Sequence, residues 1–277
     1  MSNRDANFSN MPMRKISIIV FLLTFISPLL AHEFWLNPER FIYKRTEKIN
    51  VRFLVGENFE GENWKGNNER IKSLQIFYGG VNDDLSPVVT EAAGDSIEYF
   101  MIDEGTNLIA FNSNNSFIEL EPSKFEEYLK EDGLTNALEY RKQNNETGCA
   151  GREFYQRCAK TLIQVGGVKD NTFSFATDLV VDIIPYSNPY NLTNNELFRA
   201  KVFYKRSPLR NGLVKVWNRV KNKTEKKEIR TDAEGEIVFR VTAKGKWMIS
   251  TVKMERLIDN PVADWQSYWG SLTWGYE

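Results

Sequence analysis

In "KINVRFLVGENF", Ile49, Val51, Phe53 and Val55 alternate with polar neighbours, the period-two signature of a half-buried strand. Similar short segments follow in "IKSLQIFYGG", "SIEYFMI", "TNLIAFNS" and "SFIELEP", separated by Gly, Asn and Asp clusters that favour turns. Short strands at this spacing predict a β-sandwich. At "SKFEEYLKEDG" the period changes. Ser123 and Glu126 have the spacing of a capping box, Phe125, Tyr128 and Leu129 share a helical face, and Gly133 is placed to end the helix. "LTNALEYRKQ" and "GREFYQRCAKTLIQVGG" also read as helices, so a helical insertion is expected over about 123–165.

Strands resume at "TDLVVDIIP", and Pro185 and Pro189 mark a linker. A second β unit then runs through "ELFRAKVFYK", "LVKVWNRV" and "EIVFRVTAKGKWMISTVKM", with Gly235 suited to positive φ in the loop Asp232–Gly235 and the basic stretch Lys221–Lys227 read as a solvated turn. In the tail, Asn260 and Pro261 suit a helix start, with Trp265, Tyr268 and Trp269 at helical spacing. The expected fold is mainly β. Two β-sandwich domains, the second Ig-like, cover 32–184 and 190–277, with the helical insertion in or after the first.

The first 31 residues have a different texture. Met13-Arg14-Lys15 precedes an apolar run from Ile16 to Ile26, then Pro28 and a small residue at Ala31. This is the layout of a secretory signal peptide, with Met13 as an alternative start. The run is shorter than the roughly 20 apolar residues of a membrane-spanning helix, so no transmembrane segment is expected after processing. The whole chain carries a formal charge of −1. Without residues 1–31 the balance becomes about −3, which argues against nucleic acid as the partner. A periplasmic or secreted location follows. There the two cysteines, Cys149 and Cys158, are expected to pair as a disulfide, closing a short loop for ~2.7 kcal/mol.

The one histidine, His32, directly follows Ala31. Cleavage there would make it the amino terminus, where its α-amine and ring Nδ1 could chelate one metal ion. Nitrogen donors suit nickel and cobalt, and also copper and zinc, and Glu33 could add a carboxylate. At the other end, Asp264, Trp265 and Trp269 are candidates for a partner surface, read either as an aromatic platform for a protein or sugar or as packing. No nucleophile elbow or phosphate-cradling loop is present, and no histidine is available to pair with a serine, so a non-catalytic protein is expected.

The segments "AHEFWLNPERF", "KFEEYLKEDGL", "GREFYQRCAKTL", "IIPYSNPY", "RTDAEGEIVFRV", "GKW" and "DWQSYWGSLTW", in this order, resemble the domain of unknown function 4198 family. That resemblance implies a periplasmic β-rich component of cobalt or nickel uptake, working with a membrane transporter or receptor of the envelope. "RTDAEGEIVFRV" is also similar to carboxypeptidase-regulatory and transthyretin-like modules. One departure stands out: where the family pattern places a histidine between Val and Met, this chain has Lys253.

Overall fold

The computed structural model describes residues 33–89, 94–101 and 103–276. The first strands are β1 (Glu33–Pro38), β2 (Ile42–Tyr43), β3 (Lys48–Glu57), β4 (Glu60–Asn63), β5 (Ile71–Tyr78) and β6 (Val81–Asp84). Then come β7 (Ser96–Phe100), β8 (Gly105–Ser113), β9 (Ser116–Leu120), the helices α1 (Pro122–Glu131) and α2 (Thr135–Gln143), and β10 (Gly151–Val165). The remainder is β11 (Val181–Pro185), β12 (Leu197–Tyr204), β13 (Ser207–Pro208), β14 (Leu213–Val220), β15 (Lys223–Arg230), β16 (Glu236–Arg240), β17 (Lys246–Arg256) and β18 (Trp265–Gly275).

These strands build three sheets. The central one runs β15-β14-β17-β18-β10-β8-β5-β6, with β2 and β9 also on β10. β10 pairs with β18 in parallel, so strands from both halves of the chain share one sheet. β1, β3, β4 and β7 form a second sheet. It closes on the face of β10 that carries Ala159, Ile163 and Val165. β11, β12, β13 and β16 form the third, which covers the opposite face, where Cys158 and Leu162 point. The result is a mainly β, sandwich-like stack with a core on each side of the central sheet. α1 and α2 lie on Val252, Met254, Trp265 and Trp269, filling the ground beside the second sheet.

Several expectations change. "GREFYQRCAKTLIQV" is the 15-residue strand β10. With neighbours on both faces it buries polar side chains such as Glu153 and Lys160 among apolar ones, and the alternation of a half-buried strand is lost. The helical part is therefore confined to α1 and α2. The tail is strand β18, and Asn260 instead closes a turn by accepting from the amides of Val262 and Ala263. Lys223–Arg230 is an edge strand whose charged side chains suit an unpaired sheet margin. No capping box forms at α1. Pro122 takes the first helical position, and Glu126 instead accepts from the buried Arg141 Nε at 2.8 Å, tying α1 to α2. The expected linker after Pro185 is anchored: Asn188 donates to Thr106 Oγ1 at 2.7 Å and Tyr190 is buried. The central sheet runs through the division expected between 184 and 190.

The cysteines do not pair. Cys149 is exposed in the turn before β10 and Cys158 is buried within it, both as free thiols. The extended segment from Gly151 to Cys158 alone spans ~23 Å at about 3.3 Å per residue, against the roughly 7 Å that a disulfide tolerates between α-carbons.

Candidate functional site

Every residue of β1 is buried, and Glu33 begins it, opposite Gly56 of β3. A carboxylate in that position needs a partner. Lys215 of β14 supplies one, its Nζ 3.2 Å from Glu33 Oε1. The same ammonium lies 2.7 Å from Oδ1 of Asp132, the residue that caps the C-terminal end of α1. Gly133 follows in the left-handed region, φ +63°, and a Cβ there would come within 2.8 Å of Leu213 Cβ. Glycine thus ends the helix, as its spacing predicted, and lets the helix end close on β14 so that Asp132 meets Lys215.

Three ionisable side chains from β1, α1 and β14 therefore meet where the described chain begins. Burial pushes the Asp132 carboxyl up to about 6 even though Lys215 opposes the shift. Burial lowers the Lys215 amine, but Asp132 and Glu33 more than compensate and hold it above its usual range. With both carboxylates ionised the cluster carries a net negative charge. It lines a small enclosed cavity of about 10 Å³ together with Ser250, Thr251 and Trp269. Glu33 and Lys215 also border an open groove of about 620 Å³ whose walls include Trp217, Lys226 and Glu228.

A second buried acid lies under the helices. Glu153 of β10 accepts from Tyr128 Oη at 3.2 Å and from Ser267 Oγ, while Trp269 Nε1 donates to Ser267 Oγ at 3.0 Å. Its other oxygen has no hydrogen-bond partner among the described residues. Burial lifts this carboxyl to about 7.

Of the residues singled out by sequence, Glu33 belongs to the first cluster, and His32 lies outside the described residues. Glu33 is engaged by an ammonium, and among the described residues no group of three or more His, Cys, Asp and Glu side chains is arranged to hold a metal. The described residues alone do not fit a resident metal. Asp264, Trp265 and Trp269 do not form a surface platform. Both indoles are buried, Trp269 stacked on Tyr128 at 5.6 Å and Trp265 edge-on to Tyr140. Asp264 takes a two-pronged contact from Arg152, 2.9 and 2.8 Å, which holds its carboxyl below the usual range. Lys253 reaches toward the ring of Tyr204, at 6.0 Å, while the neighbouring Val252 packs under the helices on the other face. Lys215 and Asp132 escaped sequence reasoning because no spacing rule links positions so far apart in the chain.

A family model described as "Domain of unknown function (DUF4198)" matches residues 29–255. The chain belongs to that family. No match was found among curated proteins. Among solved structures, the chain is similar to Escherichia coli alpha-2-macroglobulin activated by porcine elastase, at 10% identity and TM-score 0.21, over 88% of this chain and 20% of that one. It thus spans about a fifth of that protein's length. Three N-terminal domains of the bacteriophage RB49 outer capsid protein Hoc give 6% identity and TM-score 0.19, over 87% of this chain and 59% of theirs. A DUF3823 family protein from Bacteroides uniformis gives 10% and 0.19, over 86% and 96%. TM-scores this low establish no shared fold.

Proposed function

We propose that this member of the family is an exported, non-catalytic metal-handling protein, an accessory to nickel or cobalt uptake that passes its cargo to a membrane component of the envelope. The cargo is taken by the α-amine and imidazole of His32, set free by cleavage after Ala31. On this reading the sheets are Ig-like and transthyretin-like sandwiches serving as a rigid mount. The observation that carries the reading is the convergence of Glu33, Asp132 and Lys215 at the first described residue, next in sequence to His32. The residue peptide-bonded to His32 is thereby buried and held from two directions. The excess negative charge of the cluster favours a cation nearby. Glu33 acts here as a positioning anchor rather than as a ligand, because its carboxylate already accepts from Lys215. Cation exchange with a partner is consistent with a donor set completed by water, since nitrogen donors alone leave coordination positions open.

The test compares two proteins, one beginning at His32 and one carrying a single extra residue before it. The addition turns the α-amine into an amide and breaks the chelate. Isothermal titration with nickel and cobalt should show at least a tenfold loss of affinity in the extended form. Equal affinities would defeat the proposal.

A further inference from the structure

At the far end of β1 from Glu33, Arg219 and Arg52 lie near enough to Lys246 to repel its charge, and Glu60 opposes them. The β14–β17 register places Arg219 directly opposite Lys246, and the β1–β3 register places Arg52 opposite Asn37. Like charges set opposite one another across a ladder are unfavourable. Lys246 Nζ donates to Asn37 Oδ1 at 2.8 Å and sits 4.4 Å from the centroid of the Phe59 ring. It makes no other hydrogen bond among the described residues, so a half-buried ammonium with three protons spends one of them. Arg219 is committed to Glu60, at 2.5 Å, and to Thr224 Oγ1, at 2.8 Å. Arg52 is exposed and has no carboxylate partner among the described residues. Among the described residues, Glu60 is the acid in salt-bridge contact with the group.

We propose that Lys246, Arg219 and Arg52 form an anion-binding site for a phosphate-type oxoanion, seated over the apolar floor made by Trp35 and Phe59. The site is independent of the metal reading, because it uses none of the same side chains. Asn37 fixes the ammonium, and the Phe59 ring faces it from one side, so the remaining donors are directed away from both. The two guanidiniums present flat, multi-donor faces suited to a tetrahedral oxoanion. The arrangement leaves the amine short of counter-charge. Burial first, then Arg219 and Arg52, lower it to about 8. A bound oxoanion supplies the missing charge and would draw that value back up.

The test uses the full processed chain with 13C-labelled lysines and follows the Lys246 Cε resonance by NMR. Inorganic phosphate is titrated against chloride at matched ionic strength. Phosphate should saturate a shift and raise the Lys246 titration midpoint by about one unit, while chloride should not. Lys246→Met should abolish saturable phosphate binding, read by calorimetry, and Arg52→Gln should weaken it at least fivefold. Glu60→Gln, which removes the competing acid, should tighten it. A second arm uses vesicles of phosphatidylglycerol against phosphatidylcholine. Lys246-dependent capture by the anionic vesicles alone would assign the oxoanion to a lipid headgroup, and a response to inorganic phosphate would assign it to a free ion. If neither arm depends on Lys246, or chloride acts as phosphate does, the proposal falls.

Discussion

Lys160 of β10 and Asp182 of β11 form an ion pair, Nζ to Oδ1 2.5 Å, with side chains only 1% and 5% exposed. The pair joins the central sheet to the third sheet, and the second carboxylate oxygen of Asp182 accepts from the amide and hydroxyl of Thr177. Lys160→Met should cost about 3–5 kcal/mol, because it leaves a buried charge unmatched. Lys160→Met with Asp182→Asn should recover most of that loss, since the amide oxygen keeps the Thr177 contacts without a charge. Urea denaturation of the single and double variants measures both. A double variant as unstable as the single would show that the pair contributes more than charge balance.

Glu153 gives the fold a dependence on pH. Its carboxyl titrates at about 7 when folded and near 4.3 when unfolded. Between these values the folded state holds the proton and the unfolded state does not, so stability falls as pH rises through that window. The contribution is on the order of 3 kcal/mol between pH 4 and pH 8. Glu153→Gln should flatten this part of the profile and leave the variant the more stable of the two at pH 8. Thermal unfolding at a series of pH values would reveal the difference. Parallel curves for the two proteins would remove Glu153 as the cause.

Lys215 carries the opposite lesson. Its single positive charge is shared by two buried carboxylates, so Lys215→Met should destabilise by about 3–5 kcal/mol at pH 8. The penalty should shrink below pH 6, where Asp132, with its carboxyl near 6, takes up a proton. Chemical denaturation at pH 8 and pH 5 separates this from simple loss of packing, which would cost the same at both.

The thiols should differ in reactivity. Cys149 is exposed and should react with a disulfide reagent in the native protein, whereas burial lifts the Cys158 thiol to about 11 and encloses it. One equivalent should react before denaturation and two after. A native protein with no free thiol would contradict the structure.

The strands that were legible in the sequence are those with one wet face. Lys48–Glu57 buries Ile49, Val51 and Phe53 as the alternation predicts, with Leu54 buried as well on the other face, and α1 follows its Phe125, Tyr128 and Leu129 face to a stop at Gly133. β10 was not legible, because a strand buried on both sides has no polar phase to report. The tail shows why spacing alone misleads. Trp265 and Trp269, four residues apart, share a face on a helix and on a strand alike, and only Tyr268 distinguishes them. In the structure it turns to the opposite face, against Tyr204.

The chain by itself determined its mainly β character, the helices α1 and α2, and its family, since these depend on local preference and on order along the sequence. The partners of its buried charges were decided only in three dimensions. Glu33 finds Lys215 and Lys246 finds Asn37 through contacts between residues 182 and 209 positions apart. Burial makes such pairings strong, and no periodicity within a strand encodes which distant strand will lie across it.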